Sequence, residues 1–173
     1  MASGNGRKSA GWAWDEALCG VVPPLISPLN ATGEPDTDAA AALVEHVLDA
    51  GCTGLFVLGG CGEGAWLTSS QCGAVVSGVV RAAAGRAPVL TGVMLPATGP
   101  AVEAARQAAD LGADAVVVGS PYYFGVEGLA QRRHIEAVLA AVTVPAPPLA
   151  ALGAEGRTRV AAIVRRHAAA LAR

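Results

Sequence analysis

Ala50-Gly51-Cys52-Thr53-Gly54-Leu55-Phe56-Val57 and Leu111-Gly112-Ala113-Asp114-Ala115-Val116-Val117-Val118 are two versions of one junction. Each passes from the end of a helical pattern through a glycine into a short apolar run. The glycine suits the left-handed residue that closes a helix, and the run suits a strand buried in a parallel sheet. Gly51 and Gly112 stand 61 residues apart with one further unit between them, so the repeat is about 30 residues long. That is the length of a strand, a crossover helix and their connections.

Working outward, the neighbouring segments follow the same alternation. A first strand is expected over Gly20 to Ile26, ending at Ser27-Pro28. Helix one starts at Asp36 or Asp38, either of which can cap it, and runs to Gly51 with Leu43, Val44, Val47 and Leu48 on one face. Strand two covers Gly54 to Leu58, and helix two follows from Thr68, with Gln71 at capping-box spacing, to about Ala84. Strand three is Val89 to Val93, helix three runs from Thr98 and Pro100 to Leu111, and strand four is Ala115 to Val118. Helix four covers about Val126 to Ala141. Beyond it, Val144 to Leu152 carries Pro145, Pro147 and Pro148, which disfavour a central strand, and a last helix spans Arg157 to Ala170.

A repeat of this length fits a (β/α)8 barrel or an open doubly wound sheet, and in both the functional groups sit beyond the strand C-termini. Four clear units and a doubtful fifth make about half of a barrel, which needs roughly 250 residues. The expected fold is therefore α/β, a partial (β/α)8 TIM barrel of four to five units whose parallel strands are adjacent in sequential order. Residues 1–14 read as a flexible polar tail, 15–143 as the half barrel, and 144–173 as a divergent proline-rich segment with a basic helix.

Composition narrows the function classes. Of the 173 residues 53% are hydrophobic and 15% charged, so one soluble globular domain with an ordinary core is expected, and 38 are alanine, which favours helix and buries little apolar area. The longest uncharged runs are broken by prolines and fall short of the roughly 20 apolar residues of a membrane span. The first ten residues lack the apolar stretch of a secretory signal, so a cytoplasmic setting is expected. A net charge of −2 offers no footprint for nucleic acid. Arg157, Arg159, Arg165, Arg166 and Arg173 cluster near the end, but without interleaved aromatics they read as a solvated helix face. Cys19, Cys52, Cys61 and Cys72 lack metal-ligand spacing, so neither a metal nor another cofactor is expected.

The glycine-rich turn after strand two, Gly60-Cys61-Gly62-Glu63-Gly64-Ala65, fits a relaxed dinucleotide fingerprint. Two features argue against it: the next carboxylate after Glu63 is Glu103, too far on to hold a ribose, and the following helix starts too late to face a pyrophosphate. The turn reads instead as a substrate-facing barrel loop. Within it, Cys61 is read as a small buried residue rather than an exposed thiol, and Glu63 as bonded to the loop's own amides. His134, four residues before Val138, is read as a surface residue beside Arg132 and Arg133.

The order of these loops resembles the dihydrodipicolinate synthase and N-acetylneuraminate lyase family of class I aldolases. Ser27-Pro28-Leu29 with Gly33-Glu34-Pro35-Asp36 is similar to the family's T-P-F and D-G-x-x-D, and Gly59-Gly60-Cys61-Gly62-Glu63 with Leu67-Thr68 to its G-T-T-G-E and L-T. Ala87 to Val93 is similar to its P-V-x-x-G segment, and Gly112-Ala113-Asp114-Ala115 through Ser120-Pro121-Tyr122-Tyr123 to G-A-D-A through T-P-Y-Y. The likeness covers about Leu18 to Val144 in the right order.

That resemblance implies a Schiff base between a sixth-strand lysine and pyruvate or another 2-oxo acid. It also implies threonine amides that hold the carboxylate, and a relay from a Y-N-x-P tyrosine through a threonine to a P-Y-Y tyrosine. Here the threonine pair is Gly60-Cys61, and the only tyrosines are Tyr122 and Tyr123. The fifth-strand tyrosine is replaced, with Leu149 or Leu152 in its place, and the sole lysine is Lys8, ahead of strand one. Tyr123 carries over as the relay tyrosine and Gly60 and Cys61 as substrate-binding positions, with no nucleophile; Tyr122 and Tyr123 fit equally well as packing groups at a subunit contact. A chain so truncated is expected to be inactive alone. The alternative is a non-catalytic binding or assembly partner, forming a homo-oligomer or joining a complementary barrel chain, because a half barrel leaves open strand edges.

Overall fold

In a computed structural model, Trp12, Trp14 and residues 18–143 are described. Helix α1 spans Thr37–Asp49, started by Asp36, whose carboxylate accepts from the amides of Asp38 and Ala39 at 3.1 and 2.9 Å. It ends at Gly51, whose φ of 86° lies in the left-handed region. Strand β1 is Leu55–Val57 and helix α2 is Ser69–Ala83. Thr68 caps α2 in a complete capping box with Gln71, as the spacing predicts. Strand β2 is Val89–Val93, α3 is Thr98–Asp110, β3 is Ala115–Val118 and α4 is Leu129–Thr143. The proline-rich segment from Val144 and the basic last helix lie outside the described residues.

The sheet is parallel, in the order β1-β2-β3, with Leu55 beside Val89 and Leu90 beside Ala115. Sequential parallel neighbours joined by helices are the pattern of a barrel arc and not of a doubly wound order. The segment expected as the first strand runs along the free side of β1 and makes only one bridge, Pro24 with Phe56. Its contacts are Thr53 N–H to Val21 O, Phe56 N–H to Pro23 O and Leu25 N–H to Phe56 O, at 2.9, 3.2 and 2.7 Å. Pro23 and Pro24 carry no N–H, so the segment chiefly accepts and a regular ladder cannot form.

Alternation along the strands puts Leu55, Val57, Val89 and Val93 on the face beneath the helices, each at most 2% exposed. Leu55, Val57 and Val89 join Val44 of α1 and Val75, Val76, Val79 and Val80 of α2 in the main core. A smaller cluster places Ala101 and Ala105 of α3 and Val138 of α4 against Val93. His134 belongs to this buried side: it is 2% exposed, and its Nδ1 lies 3.0 Å from the Thr98 hydroxyl. The surface reading of His134 is thereby corrected, because it sits one helical turn before Val138 and shares its inward face. At the opposite end of the strands, Asp114 accepts from the Val89 amide at 2.9 Å and from the Trp12 indole at 2.8 Å, tying the chain before the first segment to the strand N-termini.

Candidate functional site in the loops beyond the strands

The connection from β1 to α2, residues 58–68, is a run of turns built around one carbonyl. Leu58 adopts a left-handed backbone at φ 56°, turning its C=O toward β2. A Cβ at Gly64 or at Gly92 would meet this oxygen at 2.4 Å, so both positions are held to glycine by close approach. Gly62 is buried against the Leu58 backbone and the Leu25 carbonyl, and its own C=O accepts from the Ser27 hydroxyl at 2.6 Å. This latch fixes the loop to the end of the first segment. Its sequence signal was Ser27-Pro28, a hydroxyl placed just where that segment ends.

Two readings of the loop are corrected. Cys61 is exposed, because Gly62 takes the inward position and turns its neighbour out. Glu63, exposed at φ 53°, makes no hydrogen bond to the loop amides among the described residues. Three of those amides are engaged within the loop: Glu63 N–H donates to Gly60 O, Gly64 N–H to Gly59 O and Trp66 N–H to Glu63 O, while the Gly62 amide, in a buried residue, and the Ala65 amide donate to no acceptor among the described residues. The amides of Gly60 and Cys61 likewise donate to no acceptor among the described residues, and both residues are open to solvent. Two adjacent free N–H groups at the rim of a parallel sheet can receive a carboxylate.

Tyr122 and Tyr123 lie on the loop after β3, 58% and 76% exposed. Tyr123 makes an edge-on contact with Phe124, ring centres 4.8 Å apart, and no hydrogen bond joins it to the Gly60–Cys61 turn among the described residues. The loops thus share one end of the sheet without a described contact between Tyr123 and Cys61. Among the described residues no cluster of three histidine, cysteine or acidic side chains could hold a metal. No helix among them is long and apolar enough to cross a membrane.

The dihydrodipicolinate synthetase family model matches residues 17–147, a span that includes every strand and loop above. The chain belongs to that family. An uncharacterized DapA-like lyase of Halobacterium salinarum is 42% identical over 128 residues, covering 74% of this chain and 42% of the relative. A 4-hydroxy-tetrahydrodipicolinate synthase of Phenylobacterium zucineum is 38% identical over 131 residues, 76% of this chain and 44% of its own. Among solved structures, the Escherichia coli K12 prophage protein YagE, of the dihydrodipicolinic acid synthase family and in complex with pyruvate, superposes with a TM-score of 0.69 at 33% identity. That match covers 73% of this chain and 42% of YagE. A catalytic-lysine mutant of a Ruminococcus gnavus sialic acid aldolase gives 0.70 at 27% identity, over 73% and 42% of the two chains. The chain therefore spans a little over two fifths of the length of these relatives, and what it shares with the dihydrodipicolinate synthetase family is an aldolase-like arc of a TIM barrel.

Proposed function

We propose that this chain supplies the carboxylate-binding arc of a family aldolase, takes a small 2-oxo acid such as pyruvate at Gly60 and Cys61, and has no Schiff-base nucleophile of its own. The observation that carries this reading is the pair of unengaged, exposed amides at Gly60 and Cys61, where the resemblance puts the carboxylate. Pyruvate is bound in YagE, and the Ruminococcus gnavus relative has a catalytic lysine. The one lysine here, Lys8, precedes the first segment by about ten residues. Tyr123 is the group proposed to relay a proton once a nucleophile is supplied from elsewhere. Titrating pyruvate into ¹⁵N-labelled chain should move the Gly60 and Cys61 amide resonances saturably. Movement confined to other residues, or none, contradicts the assignment.

A second reading, a non-catalytic assembly partner, is favoured by the open side of the sheet. Every residue of β3 is half-buried, and Trp66, Tyr122, Tyr123 and Phe124 are between 58% and 80% exposed. Apolar surface of this kind would suit an interface with another copy or with a complementary barrel chain. Sedimentation at micromolar concentration should give a dimer or larger species that weakens when Trp66 and Phe124 are both changed to serine. A monomer whose behaviour does not respond to those changes contradicts this reading.

A further inference from the structure

A cleft of about 200 Å³ opens between α2 and α3, on the helix-covered side of β2. Its walls include Leu58, Leu67, Val76, Val93, Leu95 and Leu111. The cleft exists because small residues line the facing helices: Gly73 on α2, and Ala104 and Ala108 on α3. Such residues bring the helices together at the backbone but leave space where larger side chains would interdigitate.

The sheet contributes one unusual group to this cleft. Thr91 is 2% exposed, lies between Val89 and Val93 on the inward face of β2, and its hydroxyl has no hydrogen-bond partner among the described residues. Valine would fill the same volume without an unpaired hydroxyl, and a buried polar group left unpaired is destabilising. The remaining polar groups are engaged. Cys72 directs its thiol to the Gly64 and Leu67 carbonyls, and burial pushes that thiol up, so it stays neutral. Gln107 and Ser69 bond each other twice across the rim, at 3.2 Å each. Among the described residues the one charged member of the lining is Glu103, exposed on α3, which repels anions.

We propose that the α2–α3 cleft binds a small neutral ligand, one ring in size, whose single hydroxyl pairs with the Thr91 hydroxyl. An apolar cavity of about 150 Å³ is already large enough to take up benzene, and a threonine hydroxyl can both donate and accept. The same lining excludes a carboxylate, so this site is separate in chemistry from the amide pair at Gly60 and Cys61 and does not depend on the 2-oxo acid reading.

Phenol and toluene, added to the whole chain and followed by calorimetry and amide chemical shifts, test the proposal. Phenol should bind saturably, shifting Val76, Thr91 and Ala108 resonances. Thr91→Val should weaken phenol about fivefold, the worth of one net hydrogen bond, while toluene affinity holds. Ala108→Leu should abolish both by filling the space; if that variant does not fold, Ala104→Met serves the same purpose. Pyruvate should not compete. Phenol that fails to saturate, an equal loss of phenol and toluene in Thr91→Val, unchanged binding in the filled variant, or displacement by pyruvate would each overturn it.

Discussion

The helix-covered face of the sheet and its open side follow the same alternating strand pattern but meet different fates. On the covered face, Leu55, Val57, Val89 and Val93 disappear under α1, α2 and α3. On the open side Phe56 and Leu90 stay half-buried, β3 has no partner beyond it among the described residues, and Ile26 is 61% exposed. Each βα unit brings its own cover for the outer face, because the crossover helix returns over the strand that precedes it. The inner face has no such local cover and depends on strands from the rest of a barrel. Among the described residues the cover of the outer face is therefore local to each unit, while the loops beyond the strands stand at the rim of a face that stays half-buried.

The largest test of that contrast lies in the core. Leu55→Ala removes a fully buried side chain from the middle of the main cluster and should cost roughly 2–5 kcal/mol in urea unfolding. Val117→Ala, on half-buried β3, should cost about 1 kcal/mol or less. Equal effects would mean that the open side is covered in solution. Next in size is the Thr98 hydroxyl, which pairs Nδ1 of buried His134. Thr98→Val leaves that imidazole with neither nitrogen bonded among the described residues, since Nε2 already lacks a partner, and should cost on the order of 1–3 kcal/mol. An unchanged unfolding midpoint would show that the imidazole finds another partner.

The smallest effect belongs to the exposed pair Glu45 and Arg86, which joins α1 to the turn after α2 through two hydrogen bonds, one of them at 2.8 Å. The Arg86 hydrogen bonds hold the Glu45 carboxyl below its usual range, against a smaller opposing effect of desolvation. A carboxylate whose folded pKa is depressed contributes stability at neutral pH and loses it as pH falls through the lowered value. Glu45→Gln should therefore lower Tm slightly at pH 7, with the difference from the parent chain vanishing in acid. High salt should also shrink it, because the pair is exposed to solvent.

Local signals were the legible ones. Asp36, Thr68, Gly51 and Gly112 mark helix ends through their own backbone chemistry, and β2 and β3 have the bounds their apolar runs predict. What escaped reading depends on contacts distant in sequence. The first segment has strand-like composition, but two prolines reduce it to a single bridge with Phe56. Arg132 and Arg133 suggested an exposed turn of helix around His134, although its one-turn spacing to Val138 pointed inward. Whether Cys61 or Gly62 faces inward is set by the Leu58 backbone, the Leu25 carbonyl and the Ser27 latch, none of which the loop's own sequence reveals. The α2–α3 cleft likewise needed the packing of two helices to become visible.

Chemistry at the rim comes down to whether an amine on this chain reaches a bound keto group. An iminium requires a neutral primary amine held beside the carbonyl, and the one lysine in the sequence, Lys8, stands ahead of the first segment and apart from the sixth-strand position that the family's chemistry uses. The pure 173-residue chain, incubated with pyruvate and borohydride, should keep its intact mass, with no stoichiometric reduced adduct. An adduct that maps to Lys8 would contradict the account and require the tail to reach the turn at Gly60 and Cys61.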